Sequence, residues 1–401
     1  MSLISDIVWI KRGVPKAQPD KVRLTANEIS ELLKAKCRSN PLAGIAMFAS
    51  PMEDPHVTTQ VDSDEEERED FQVKPDDNFV VVGKIFKNEY TLEVYLYNEA
   101  NDDWYVHHDY ILDIPPLCLE PVYFDFGSED KKGNLLAVGG MDASINVWDL
   151  DLVNSVEPLF TLGGVKKTNR KRQKRDGSAQ GHSDAVLSLS WNHLTEHVLA
   201  SGSADNTVIL WDLEETKPAT VLTDFNGKVQ SVMWHPVESP ILLTGTLSGQ
   251  VGIIDCRNCD TLSKQWDING EVERLAWNRF CPFYFFVVTD NGHLFYVDTR
   301  ANGSVFSKKI HEGSAHSIEQ SCYTTGLLST SGEDELLKIW RLKDDGTDVE
   351  LIIERKMGLG NLHVCRFSPD SGAVLVLGGE KEEMVKVIDV SKFEEVQTAF
   401  S

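Results

Sequence analysis

The chain has 401 residues, 41% of them hydrophobic and 25% charged, with a formal net charge of −24. That is ample for a large core, arranged either as two or three ordinary domains or as one repeat array. No apolar run approaches the roughly 18 residues that span a membrane. The N-terminal stretch carries Asp6 and lacks the basic start and small-residue cleavage site of a signal peptide. Seven irregularly spaced cysteines argue for reduced thiols inside the cell.

In chain order, residues 1–12 predict a strand, Ile4 to Ile10, in which Asp6-Ile7-Val8-Trp9 matches Ser188-Leu189-Ser190-Trp191 far downstream. Residues 13–77 read as an insertion. It opens with Pro15 and Pro19 and continues into a short helix whose capping box is Thr25 and Glu28 and whose apolar stripe is Ile29, Leu32 and Leu33. The block from Asp62 to Asp70 holds seven acids and one base, a self-repelling segment expected to be disordered. Ser63 within it reads either as an acidophilic kinase site or as part of a solvated acidic loop. Phe79–Ile85, Thr91–Tyr97 and Trp104–His108 then predict three strands. His107 and His108 are neighbours on the last, so their side chains are expected on opposite faces, where both cannot readily bind one metal.

From residue 78 to 401 the chain is periodic. Stepping from Trp211-Asp212 by 43 residues reaches Ile254-Asp255, then Val297-Asp298, then Trp340-Arg341; Ile388-Asp389 follows after 48, and Trp148-Asp149 lies 63 earlier. Trp191, Trp234 and Trp277 keep the same step. Gly181-His182 opens one unit that closes on Trp211-Asp212, with three short alternating segments between. That is the signature of a WD40 blade, and seven such units can be drawn, the sixth from His316. In WD40 blades residues placed like His182, Ser201, Asp205 and Trp211 hydrogen-bond to one another, so this His-Ser-Asp trio reads as structural rather than hydrolytic. The Gly-His pair is lost in most units, and the Trp-Asp pair is degraded in the fourth, fifth and seventh.

Residues 163–180 form a second insertion. Lys166, Lys167, Arg170, Lys171, Arg172, Lys174 and Arg175 put seven bases into ten residues, leaving −31 for the remainder. Such a run reads as a nuclear-import signal, a nucleic-acid contact, or a solvated linker. In a four-stranded blade the acidic insertion joins a first strand to a second, and the basic one joins an outer strand to the next inner one. The two are therefore expected on opposite faces of the disc.

Catalytic and cofactor motifs are missing from the sequence. There is no P-loop, Gly358-Leu359-Gly360 lacks the third glycine of a dinucleotide site, and His311-Glu312 has Ala315 where a zinc-protease motif needs histidine. Cys256-Arg257-Asn258-Cys259 has metal-like spacing but no second pair. The expectation is a non-enzymatic protein with no cofactor, no metal and no small-molecule substrate.

Several stretches resemble the periodic tryptophan protein 1 family. They include Trp9-Ile10-Lys11-Arg12-Gly13, Arg68-Glu69-Asp70-Phe71, Trp104-Tyr105-Val106-His107-His108-Asp109 and Trp148-Asp149-Leu150-Asp151. Gly181-His182-Ser183-Asp184-Ala185-Val186-Leu187 and the run from Ala204 to Asp212 extend the resemblance over nearly the whole chain. The family usually carries a long acidic segment after its early helix, whereas Lys36 to Ser50 is short and nearly neutral here. The resemblance implies an all-β, seven-bladed WD40 propeller in the nucleus and nucleolus, a scaffold for large-subunit ribosome assembly and ribosomal-gene transcription. Its expected partners are pre-ribosomal proteins and rRNA. The alternatives are histones at ribosomal-gene chromatin, or one basic ribosomal protein escorted by this chain. No membrane contact is expected, and the chain is expected as a monomer within larger assemblies.

Overall fold

The computed structural model describes residues 2–21, 71–163, 181–258, 262–381 and 385–400. The helix expected from Thr25, the acidic block with Ser63, the basic tract from Lys166 to Arg175, and Cys259 lie outside them. Seven antiparallel sheets radiate as the blades of a β-propeller. Six have four strands and the seventh has three. The inner strands, Ser2–Ile10, Pro116–Phe124, Val186–Trp191, Val229–Trp234, Val272–Trp277, Ala315–Gln320 and Leu362–Phe367, pack in that order around the axis, and the last packs on the first. We number the blades 1 to 7 by these strands.

Side chains of one inner strand satisfy backbone N–H groups of the next. Ser188 Oγ accepts from the Val232 amide, Ser190 Oγ from Trp234 and Ser231 Oγ from Leu275, at 3.0, 3.2 and 3.3 Å. Asp6 Oδ2 accepts from the Leu119 amide and Glu120 Oε1 from Trp191, so the same joint links blades 1 to 2 and 2 to 3. An inner strand has a free edge toward the axis, and these acceptors pair donors that would otherwise be buried without partners.

The closing joint uses the same parts. Trp9 Nε1 donates to the Arg366 carbonyl across the seam between blades 7 and 1, as Trp234 Nε1 donates to the Ser190 carbonyl and Trp277 Nε1 to Met233. A Cβ on Gly378 would stand 2.7 Å from the Ile4 side chain, and one on Gly202 2.8 Å from Val229. These contacts need glycine for blades to nest closely. The N-terminal strand is thus the innermost strand of blade 1, paired antiparallel with Asp77–Phe86, and Trp9 is buried rather than at the rim.

Blade 7 departs from the repeat. After Val385–Asp389 the chain turns through Val390–Lys392 into a short helix, Glu394–Ala399, which packs on the outer strand of blade 6, Val349–Lys356. Val390 and Val396 are buried there, in a cluster with Phe393 and Phe400 at its margin. The apolar spacing of this last segment is spent on a helix face, not on a fourth strand.

Residues 11–21 cross to blade 2 on the face opposite the loops before its inner strand. Asp20–Lys21 runs parallel to Leu152–Val153, and the Lys16 amide donates to Asp151 Oδ1. One local expectation fails nearby. His107 and His108 do not point apart: their rings lie 4.9 Å apart with Nδ1 to Nδ1 at 2.6 Å. The pairing of Glu89–Asn98 with Asp103–Leu112 slips between Val94 and Tyr95, leaving His107 as the extra residue of a bulge. Burial holds both imidazoles below the usual histidine range, His108 down to about 3, so both stay neutral. His107 Nε2 meets the Phe71 carbonyl and His108 Nε2 meets Tyr110 Oη, and no metal-binding group forms among the described residues.

Candidate functional site

Blade 3 brings His182, Ser201, Asp205 and Trp211 together. Trp211 Nε1 donates to Ser201 Oγ at 2.8 Å, and His182 Nε2 lies 2.7 Å from the same oxygen. His182 Nδ1 lies 3.2 Å from Asp205 Oδ2 and 3.0 Å from Thr207 Oγ1. The hairpin turn puts Asn206 at φ 64°, which lets the Ser183 and Thr207 amides donate to Asp205. Burial by itself raises the Asp205 carboxyl, but hydrogen bonds from His182, Thr207 and Ser183 outweigh it and hold the group well below the usual carboxylate range. Ser201 is fully buried. It ties the second and third strands to the loop entering the blade and cannot meet a substrate.

Blade 6 holds a second such set that sequence reasoning missed. His311 Nδ1 lies 2.8 Å from Asp334 Oδ1 and its Nε2 2.8 Å from Thr330 Oγ1, which also accepts from Trp340 Nε1 at 2.9 Å. Burial lowers the His311 imidazole against the opposing pull of Asp334, to which its Nδ1–H donates. The signal was present. Trp340, Asp334 and Thr330 follow His311 by 29, 23 and 19 residues, the same intervals that separate Trp211, Asp205 and Ser201 from His182. A unit drawn from His316 leaves His311 outside, and Ile310 replaces the glycine that flags the motif.

Blade 2 has the same backbone and half of the set. Pairing registers place Val138 where blade 3 has Ser201, Asp142 where it has Asp205, Ser144 for Thr207 and Trp148 for Trp211. The carboxylate is still oriented, since Ser144 donates to Asp142 through both its amide and its hydroxyl. The histidine position falls on Leu112, and Val138 offers no acceptor, so the buried Trp148 Nε1 has no partner among the described residues. Leu112, Val138, Asp142, Ser144 and Trp148 all line a cleft of about 470 Å³.

The axis itself is occupied by charge. Arg274 Nη2 meets Asp6 at 3.2 Å, Arg366 bridges Asp6 and Glu319 at 3.5 and 3.0 Å, and Arg279 meets Glu319 at 3.1 Å. Burial pushes the Glu120 carboxyl up to about 7, against the Trp191 amide and Arg366, which lower it. These groups pair with one another and with inner-strand amides. The tetrads and the axial ion pairs therefore hold the disc together, and among the described residues an open polar cleft lies on blade 2.

Comparison with known proteins agrees with this architecture. The family model for the WD domain, G-beta repeat, matches residues 174–212, the segment that ends beside the tetrad tryptophan of blade 3. Over 344 residues the chain is 38% identical to the periodic tryptophan protein 1 homolog of Drosophila melanogaster, covering 84% of this chain and 73% of that protein. It is 29% identical over 400 residues to periodic tryptophan protein 1 of Saccharomyces cerevisiae, covering 87% and 69%. A chain in the crystal structure of a mitotic checkpoint complex superposes with a TM-score of 0.60 at 17% identity, covering 78% of this chain and 84% of that one, a likeness of fold alone. With seven blades, two complete tetrads and most of its length aligned to that fly homolog, the chain is a WD-repeat protein belonging to the periodic tryptophan protein 1 family.

Proposed function

We propose that this WD-repeat protein is a non-enzymatic scaffold for large-subunit ribosome assembly, working in the nucleus and nucleolus. The observation that carries this reading is the family membership of a propeller whose internal polar clusters are spent on its own joints. Function then rests on the surface, where WD-repeat discs bind other macromolecules. A remainder of −31 favours basic protein partners, and a tract of seven bases in ten residues favours import or a salt-sensitive RNA contact. Sedimentation of nuclear extract containing the tagged chain tests it. Co-migration with large pre-ribosomal particles, with pre-rRNA recovered, is the expected result. Migration with nucleosomes would put a histone reader in its place, and a light complex with one ribosomal protein would make it an escort.

The tract supplies an independent test. Replacing Lys166, Lys167, Arg170, Lys171, Arg172, Lys174 and Arg175 with Ser should leave the melting temperature unchanged and lower nuclear accumulation. An appended import signal then separates the roles. Restored nucleolar signal leaves import as the tract's work, and nuclear protein outside the nucleolus assigns the tract to RNA or chromatin. Unchanged localisation of the original variant removes the import role.

A further inference from the structure

The cleft on blade 2 is a tetrad site from which the histidine has been removed and the carboxylate kept. We infer that it receives an arginine side chain from an extended basic segment of a partner protein. The inference rests on the reading of the disc as a binding scaffold and names one of its contacts.

Four observations converge on this ligand. In blades 3 and 6 a planar nitrogen ring fills the slot, hydrogen-bonded to Asp205 or Asp334; His182 stands edge-on to Trp211 with ring centroids 6.3 Å apart. In blade 2 Leu112 leaves that place without a donor, while Ser144 still aims the Asp142 carboxylate. Glu157 also lines the cleft, and no lysine or arginine does among the described residues. Finally, Ile111 at the cleft is 65% exposed, and Met141, beside Asp142 in the chain, is 58% exposed. Apolar side chains around an acidic slot suit a peptide that anchors one charged residue and lays its neighbours over the rim.

Arginine fits better than lysine on physical grounds. Guanidinium is flat, stays charged at every physiological pH and forks onto a carboxylate. An ammonium supplies the charge but not the plane. Trp148 lines the cleft while 3% exposed, and its indole N–H, without a partner among the described residues, reports on what enters.

The experiment titrates the full chain with hexapeptides that carry a single arginine, lysine or trimethyllysine between leucines, following the Trp148 indole N–H resonance by NMR. The arginine peptide should shift that resonance and bind at least tenfold tighter than either lysine peptide. Asp142→Asn should weaken it at least tenfold at an unchanged melting temperature. The double variant Leu112→His with Val138→Thr rebuilds the tetrad and should abolish binding; where it fails to fold, Asp142→Asn still decides. Equal binding of all three peptides, or full binding by Asp142→Asn, overturns the inference. A tenfold gain in affinity when the basic tract is neutralised overturns it differently, by making this chain's own tract the occupant. No peptide binding alongside intact co-sedimentation with pre-ribosomal particles removes the slot and leaves the scaffold. Loss of co-sedimentation removes the scaffold whatever the peptides do.

Discussion

Blades 2 and 3 share a backbone and differ in what fills it. Both pair four strands, and both bury a tryptophan at the end of the third strand. In blade 3 the indole, a serine, a histidine and an aspartate form one hydrogen-bonded set. In blade 2 the indole packs in the cluster of Leu92, Leu119, Leu136 and Leu150 with no acceptor for its nitrogen. Burial of the aromatic is therefore sufficient for a blade, and the tetrad adds rigidity to a fold that packing has already selected. Where the polar half is missing, a solvent-open slot remains.

The comparison breaks most visibly at the tryptophans. Trp211→Ala should destabilise the protein by about 3–5 kcal/mol, the range for truncating a large buried aromatic. Trp148→Ala should fall near the bottom of that range, about 3 kcal/mol, because no hydrogen bond is lost with it. Equal losses in chemical denaturation would show that the blade 3 bond contributes nothing net.

Next comes the joint each blade makes with its successor. Glu120 of blade 2 accepts from the Trp191 amide, and Ser190 of blade 3 accepts from Trp234. A carboxyl raised to about 7 by burial favours the folded state at low pH and loses that advantage as pH climbs through the interval from its unfolded value, near 4.3, to about 7. Glu120→Gln keeps the acceptor and removes the charge. It should stabilise the disc by about 3–4 kcal/mol at pH 8 and leave it unchanged at pH 4. A stability difference independent of pH would contradict the cause assigned to the shift.

The two aspartates give a smaller contrast. Asp205→Ala should cost about 1–3 kcal/mol by leaving buried donors without an acceptor, and Asp142→Ala less than about 1 kcal/mol. The folded pKa of Asp205 is depressed, so its contribution is present above the unfolded value and is lost as pH falls through the acid range. Thermal melts of wild type and Asp205→Asn should therefore converge at low pH. If Asp205→Ala left the melting temperature unchanged but abolished partner binding, the structural role of the tetrad would be wrong. The smallest effect is at Val138. Val138→Thr, which copies the acceptor that Thr330 supplies in blade 6, should stabilise by up to about 1 kcal/mol by accepting from Trp148. The same swap at the buried Val147 has no such donor and should destabilise by about 1–2 kcal/mol.

Much of this was legible beforehand because it repeats. The step of 43 residues between Trp211-Asp212, Ile254-Asp255 and Val297-Asp298 marks strand ends, and the match between Trp9 and Trp191 marks an inner strand. Pattern carries such information because each blade must present the same apolar faces to its neighbours. The second tetrad was equally legible in its intervals of 29, 23 and 19, though Ile310 hid its start.

What only the tertiary structure decided follows from contacts that no local pattern records. The bulge that turns His107 onto His108 exists because Val94 and Tyr95 pair out of step across a hairpin. The final segment becomes a helix because the outer strand of blade 6 offers Val390 and Val396 a buried place. The cleft of blade 2 depends on Leu112 arriving from the outer strand of blade 1 into the position where blade 3 has its histidine. Sequence by itself determined the number of blades and their order, since periodic burial needs only local spacing. The crossed charges at the axis needed the closed ring, because closure is what brings residues 6, 274 and 366 within reach of one another.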